Sequence, residues 1–212
     1  MPGAWELPRP EVYVAILNAR PVTLKWAFSL RNLQLPPGNN VACFSGMPFD
    51  HARNEACKVV LQQGFQWLFF LDDDVITPPD AFFRLAGRGL DIVSGLYIRR
   101  NEPILPVALL DTRPKPTFVT NFKPGDVFEA DMVGAGCLLI HRRVLERVPP
   151  PWFERTLDRD DLKEEEKASE DFVFCRKAKK LGFKIFVDSS VQCQHVGYGR
   201  SDATGAFRPL ES

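Results

Sequence analysis

Neither sign of charge prevails in this chain: 27 Lys and Arg stand against 27 Asp and Glu in 212 residues. A neutral balance removes the electrostatic case for a nonspecific nucleic-acid binder, although a local basic patch remains compatible with it. Long apolar runs are also missing. No stretch approaches the roughly 20 residues that cross a bilayer, so no transmembrane segment is expected. The opening Met1-Pro2-Gly3-Ala4-Trp5-Glu6 has neither a positive n-region nor an apolar h-region. No signal peptide is therefore expected, and a soluble cytoplasmic protein is. The cysteines lack the pattern of a disulfide framework. Cys43, Cys57, Cys137, Cys175 and Cys193 are odd in number and include no CxxC, which points to free thiols in a reducing compartment. No internal repeat is present.

Proline and phenylalanine are plentiful instead, 18 and 17 residues, with the prolines clustered at turns where they trim loop entropy. The 45% hydrophobic and 25% charged content is that of a globular protein. The length suits one α/β domain over 1–212. Its nucleotide-binding half is expected over about 10–100, an acceptor and catalytic half over about 101–197, and a flexible tail over 198–212.

The pattern along the chain predicts a strand over Val12 to Leu17, a helix over Thr23 to Leu33, and a strand over Val41 to Phe44. A helix from an Asp50 N-cap to Gln63 follows, closed by Gly64. Thr77-Pro78-Pro79-Asp80 reads as a helix start with Thr77 as N-cap, and Asp91 to Gly95 as another buried strand. This β-α-β-α-β-α-β order argues for a parallel sheet with right-handed crossovers. Ile104 to Leu110, Thr117 to Phe122 and Val127 to Met132 read as antiparallel pieces or an edge extension. A short helix spans Arg142 to Arg147. The charged run Glu154 to Lys167 reads as a mobile loop or solvated turn. Ser169 is expected to cap a helix over Glu170 to Leu181, and Lys184 to Asp188 to form a last strand.

The most informative feature is the triad Asp72, Asp73 and Asp74 behind Trp67-Leu68-Phe69-Phe70-Leu71. A continuous apolar run of this length reads as a strand buried on both faces. In open α/β sheets, ligands sit at the carboxyl ends of such strands. Three packed acids repel one another, and a divalent cation relieves that repulsion. The Asp72-x-Asp74 oxygens suit Mg²⁺ or Mn²⁺ bridged to substrate phosphates. An imidazole such as His195 suits a mixed site for the same ions. Glu170 and Asp171 open a helix, where acids usually just complement the dipole. Here a charged loop ends on them as a lid would, and a carboxylate kept ionised there can serve as a general base. Arg20 and Arg53 follow strand ends and match phosphate geometry; Arg99-Arg100 is a weaker candidate for that role. His51 could face a phosphate, and His141 is expected at the surface as a cap.

Taken in order, Val12 to Leu17, Asp50-His51-Ala52-Arg53-Asn54, Phe70 to Val75, Asp91 to Gly95, Gly134-Ala135-Gly136, Ser169-Glu170-Asp171 and His195 resemble the GT-A glycosyltransferases. The likeness is to bacterial and phage members of the family 2 type and runs over roughly residues 10 to 197. The resemblance implies a GT-A-like α/β three-layer sandwich, with a mainly parallel central sheet and a small antiparallel extension. It implies a metal-dependent transfer of a sugar from a UDP- or GDP-sugar to a hydroxyl on a glycan, a lipid-linked acceptor or a small molecule, with Mn²⁺ or Mg²⁺ as cofactor. Under it, Asp74 and His195 ligate the metal, and Asp72 contacts the metal or the ribose. Ala19, Arg20, Arg53 and Asp73 belong to the nucleotide site, and Gly134, Ala135 and Gly136 face the sugar and acceptor. Asp171 is the base of an inverting reaction with Glu170 nearby, or in a retaining relative these acids orient the donor. The first strand departs from the family pattern at Leu17-Asn18-Ala19-Arg20-Pro21, which leaves the base open.

Three other readings compete. A haloacid-dehalogenase-like phosphatase also places Asp-x-Asp after an apolar strand, but it wants that motif near the chain start and a Thr or Val where Ile76 stands. A metal-dependent nuclease wants a basic stripe that the chain lacks. A noncatalytic nucleotide or glycan binder shares most pocket residues with an enzyme.

Overall fold

A strand that is apolar at every position must be covered on both faces, and the central strands of this chain are. The computed structural model describes residues 11–19, 21–99, 104–112, 115–163 and 166–196, and the backbone of 200–201 and 207–208. The first half alternates strand and helix: β1 (Val12–Asn18), α1 (Leu24–Asn32), β2 (Asn39–Ser45), α2 (Phe49–Gln63), β3 (Trp67–Asp72), β4 (Val75–Ile76), α3 (Ala81–Gly87) and β5 (Ile92–Leu96). Short strands follow as β6 (Ala108–Leu110), β7 (Thr117–Phe118), β8 (Val127–Ala130), β9 (Met132–Val133) and β10 (Cys137–His141). The last third holds α4 (Arg142–Arg147), α5 (Glu170–Lys180), β11 (Ile185–Gln192) and β12 (Gln194–His195). Arg200–Ser201 and Phe207–Arg208, β13 and β14, pair antiparallel within the expected tail.

The seven-stranded sheet runs β2-β1-β3-β10-β5-β11-β8. Strands β2, β1, β3, β5 and β11 share one direction, while β10 and β8 run against it. The architecture is the expected GT-A-like α/β sandwich with a mostly parallel sheet, and β7-β6-β9 is its antiparallel extension. One feature of the topology departs from the local pattern. β3 and β5 do not neighbour each other, because β10 inserts antiparallel between them.

Side chains alternate between two apolar layers, as the strand period requires. Tyr13, Ala15, Leu17, Leu68, Phe70, Leu138 and Ile140 meet Ala52, Ala56 and Val60 of α2, Val144 of α4 and Phe174 of α5. Val14, Ile16, Phe69, Leu71 and Val93 meet Trp26 of α1 and Phe82 and Leu85 of α3 on the opposite face. All five cysteines are free thiols, and only Cys43 is exposed.

Two helix starts differ from the sequence expectation. Pro48 is the N-cap residue of α2 and Asp50 lies inside the first turn. Thr77 caps nothing: its N–H and C=O are bonded to the Ser29 hydroxyl, and α3 begins only after Asp80. Gly64 does close α2, at φ 79°, a left-handed conformation that favours glycine.

Candidate active site

The strands that share a direction end together, and Asp72, the last residue of β3, stands at that edge. The three aspartates then part company. Asp73 turns toward the end of β1, where its Oδ2 accepts from Asn18 Nδ2 at 3.0 Å and from the Ala19 N–H at 2.9 Å. Asp74 turns the other way. The chain leaves the turn as β4 and pairs antiparallel with β12, so that His195 lies opposite Val75. This pairing brings Asp74 Oδ1 within 3.3 Å of His195 Nε2. Asp72 points to α2, with Oδ1 accepting from Arg53 Nη2 at 3.1 Å. The turn is anchored from outside by α1: Trp26 Nε1 donates to the Asp72 carbonyl at 3.0 Å.

Arg53 is enclosed, at 2% exposure. It occupies the buried stripe of α2, with Ala52, Ala56 and Val60, and its guanidinium carbon lies 4.9 Å from the Phe70 ring centre. The group expected to line the diphosphate pocket is instead directed inward, at Asp72, at Glu170 Oε1 (3.4 Å) and at the Ala135 carbonyl (3.5 Å). Its location was legible, since helical spacing places residue 53 among the apolar positions. It ties the end of β3 to the start of α5.

At that helix start, Ser169 is the N-cap, but its hydroxyl donates to Asp171 Oδ1 and makes no cap bond to the helix backbone. Asp171 Oδ1 also accepts from the Phe172 N–H at 2.8 Å. Burial, with the neighbouring Glu170 charge, pushes the Asp171 carboxyl from 3.8 up to about 6, against the pull of Ser169 and Arg53. Burial likewise raises Asp72, which Arg53 pulls down and Asp74 pushes up.

Gly134-Ala135-Gly136 leads into β10 beside this cluster, as the Asp72 N–H donates to the Gly136 carbonyl at 3.1 Å. Both glycines are required by crowding. A Cβ on Gly134 would stand 2.0 Å from the Tyr97 hydroxyl, and one on Gly136 would stand 2.9 Å from Val75 Cγ2 and 3.2 Å from Asp72 Oδ2. Tyr97, buried at the end of β5, was not singled out in the sequence. The rule that located Asp72, a polar residue at the carboxyl end of a buried strand, applies to it equally.

Of the expected site residues, Asp72, Asp73, Asp74, His195, Arg53, Ala135, Gly136, Glu170 and Asp171 are thus joined by a chain of contacts, with exposed Ala19 at its rim. Arg20 lies outside the described residues, as does Arg100. His51 sits exposed on α2, and His141 caps α4 by accepting from the Arg143 N–H at 3.2 Å.

Asp74 and His195 fit a divalent cation. A carbonyl can only accept, so His195 Nδ1, 2.7 Å from the Ile98 oxygen, is the donor there. In the neutral ring, Nε2 then offers its lone pair on the side of Asp74. One carboxylate and one imidazole suit Mn²⁺, and ions of this kind fill their remaining positions with substrate phosphates and water. Among the described residues no group of three or more His, Cys, Asp or Glu is placed to hold a metal ion. Asp72, expected as a further ligand, therefore does not complete a site made of protein alone; its carboxylate is engaged with Arg53.

No protein-family model matches the chain, and no curated protein matches it in sequence. Solved structures do match. A197 from STIV aligns at 18% identity over 95% of each chain, with a TM-score of 0.68. GalNAc-T7, crystallised with UDP, GalNAc and Mn²⁺, aligns at 12% identity and a TM-score of 0.56, over 87% of this chain. S. aureus TarS 1-349 aligns at 11% identity and a TM-score of 0.52, over 88% of this chain. The match spans 43% of the GalNAc-T7 chain and 60% of the TarS chain. What these structures share with this chain is the fold, which is GT-A-like.

Proposed function

We propose that the protein is a metal-dependent glycosyltransferase of the family 2 type, moving a sugar from a UDP- or GDP-sugar to a hydroxyl acceptor. The observation that carries this reading is the bridging of two acidic foci by Arg53 at the carboxyl edge of the sheet. One focus is Asp72 with the Asp74–His195 pair beyond it; the other is Glu170 with Asp171. The first faces the donor diphosphate and the second the acceptor. The GalNAc-T7 structure with UDP and Mn²⁺, on the same fold, supports the donor assignment.

Asp74 and His195 would hold Mn²⁺ or Mg²⁺, which when bound supplies Lewis-acid stabilisation of the departing nucleoside diphosphate. Asp171 is the base. Both of its bonds among the described residues are made through Oδ1, so Oδ2 is open to an acceptor hydroxyl. A carboxylate with a pKa near 6 is a better proton acceptor than an ordinary one and is still ionised at neutral pH. Removal of the acceptor proton while its oxygen attacks the anomeric carbon gives direct displacement with inversion. Ala19 and Asp73, linked at the end of β1, line the nucleoside side, and Arg53 fixes both Asp72 and Glu170.

The test is thermal stability against UDP, GDP, CDP, ADP and dTDP, each with and without Mn²⁺, since a ligand of the native state raises Tm by mass action. One nucleotide should raise Tm only with Mn²⁺, and Asp74→Asn should abolish the shift. No shift with any nucleotide would remove the donor site from consideration.

A further inference from the structure

Tyr97 is 6% exposed, and its hydroxyl lies inside the Gly134–Gly136 turn. The oxygen accepts from the Gly136 N–H at 3.1 Å. Among the described residues that is its one hydrogen bond, so the O–H proton has no acceptor. A buried donor left unbonded is unfavourable, and such groups usually have a partner that the protein alone does not supply. A phenol carries its proton at neutral pH, so the hydroxyl is a donor as well as an acceptor.

Its position limits what the partner can be. The ring meets His195 edge to face, with centroids 5.6 Å apart, so one side of Tyr97 faces the cation end of the site. The ring and Asp72 Oδ2 converge on Gly136, each 3.2 Å from where a Cβ would stand. The turn that holds the hydroxyl therefore runs from the group that would carry the diphosphate to Ala135, whose carbonyl meets Arg53 and, through it, Glu170 on the side that would meet the acceptor. Between those two, in a sugar nucleotide, is the sugar.

We propose that Tyr97 reads the transferred sugar, its O–H donating to a sugar hydroxyl oxygen while the Gly136 N–H holds the phenol in place. This rests on the donor-site reading above. A residue in this role discriminates between sugars by hydroxyl position, because a site built to bond a hydroxyl rejects the analogue that lacks it.

The experiment uses Tyr97→Phe, which keeps the ring against His195. Calorimetry in Mn²⁺ compares UDP-glucose, UDP-galactose, UDP-GlcNAc, UDP-GalNAc and GDP-mannose with UDP or GDP, in both proteins. The sugar nucleotide that wild type binds most tightly should weaken about five- to tenfold in Tyr97→Phe, the size of one hydrogen bond, while its diphosphate changes less than about twofold. A deoxy series of that sugar completes a double-mutant cycle. One deoxy position should weaken binding to wild type by a similar factor and leave Tyr97→Phe unaffected. Equal weakening of sugar nucleotide and diphosphate would mean that the hydroxyl only caps Gly136, and would overturn the proposal. So would a deoxy series that behaves alike in both proteins. Should Tyr97→Phe fail to fold, a wild-type deoxy series without any loss overturns it as well. Failure of wild type to bind any diphosphate with Mn²⁺ is a different result, and removes the donor site itself.

Discussion

Replacing Asp171 by Asn should stabilise the protein at neutral and alkaline pH while ending the proposed sugar transfer. The folded-state pKa of Asp171, about 6, lies above the ordinary 3.8. Folding therefore prefers the protonated carboxyl. The associated stability is fully present below about pH 4 and is lost as pH rises through 6. Each pKa unit is about 1.4 kcal/mol, so the ionised carboxylate costs the fold about 3 kcal/mol at pH 8 and about 1 kcal/mol at pH 4.5. Asn removes the charge yet keeps an Oδ1 to accept from the Ser169 hydroxyl and the Phe172 N–H. For a chain of this size, 1 kcal/mol moves Tm by roughly 2–4 °C. The Tm advantage of Asp171→Asn should thus grow by roughly 4–8 °C between pH 4.5 and pH 8. The neighbouring Glu170 charge broadens the Asp171 transition. Calorimetric scans of both proteins across that range are the assay. A variant that is destabilised at pH 8, or whose advantage is the same at both ends, refutes the reasoning. Nucleotide binding with Mn²⁺ should survive the substitution, because the proposed function puts Asp171 on the acceptor side.

Three further outcomes follow from packing and charge. Gly134→Ala places a Cβ 2.0 Å from the Tyr97 hydroxyl and 2.8 Å from Val107 Cγ1; forcing that apart should cost about 1–3 kcal/mol, read as a lower urea midpoint, with loss of turnover. Arg53→Met leaves Asp72 and Glu170 without the guanidinium between them and should cost about 3–5 kcal/mol at pH 7. Removing the exposed Arg155, whose partner is Asp158, should leave the midpoint of the same urea titrations unmoved.

The parts of the fold that were legible in sequence are those set by local pattern. β3 is buried at every position except Asp72, as its apolar run requires, and Gly64 stops α2 because it adopts a left-handed conformation. What stayed hidden depends on partners distant in the chain. Cys137 to Ile140 reads as apolar, but nothing in those residues says that they enter between β3 and β5. Thr77 has the chemistry of a cap, yet Ser29, 48 residues away, takes its backbone groups. His195 was a candidate ligand by residue type and by the resemblance; the pairing of β12 with β4 sets it beside Asp74. Arg53 was read by what arginine commonly binds, whereas its place in the apolar stripe of α2 decides which way it points.

The raised carboxyl pKa values and the expected cation requirement share one setting, a sheet edge at which acids are buried side by side. Asp72, Asp73, Asp74, Glu170 and Asp171 stand along a single edge of the sheet, and Arg53 is the guanidinium that bridges two of them. Arg53 makes its close ion pairs with Asp72 and Glu170 and acts on Asp171 only through its more distant charge. Burial first, and the neighbouring acids after it, raise the proton affinity of Asp72 and Asp171 against the pull of Arg53. A nucleoside diphosphate bound as proposed would bring more negative charge to the same edge, and like charges this close would oppose its entry by several kcal/mol at the effective dielectric of a protein surface. The diphosphate and a divalent cation should therefore bind together or not at all. Asp74 with His195 is where the described residues offer an oxygen and a nitrogen to such a cation without displacing Arg53.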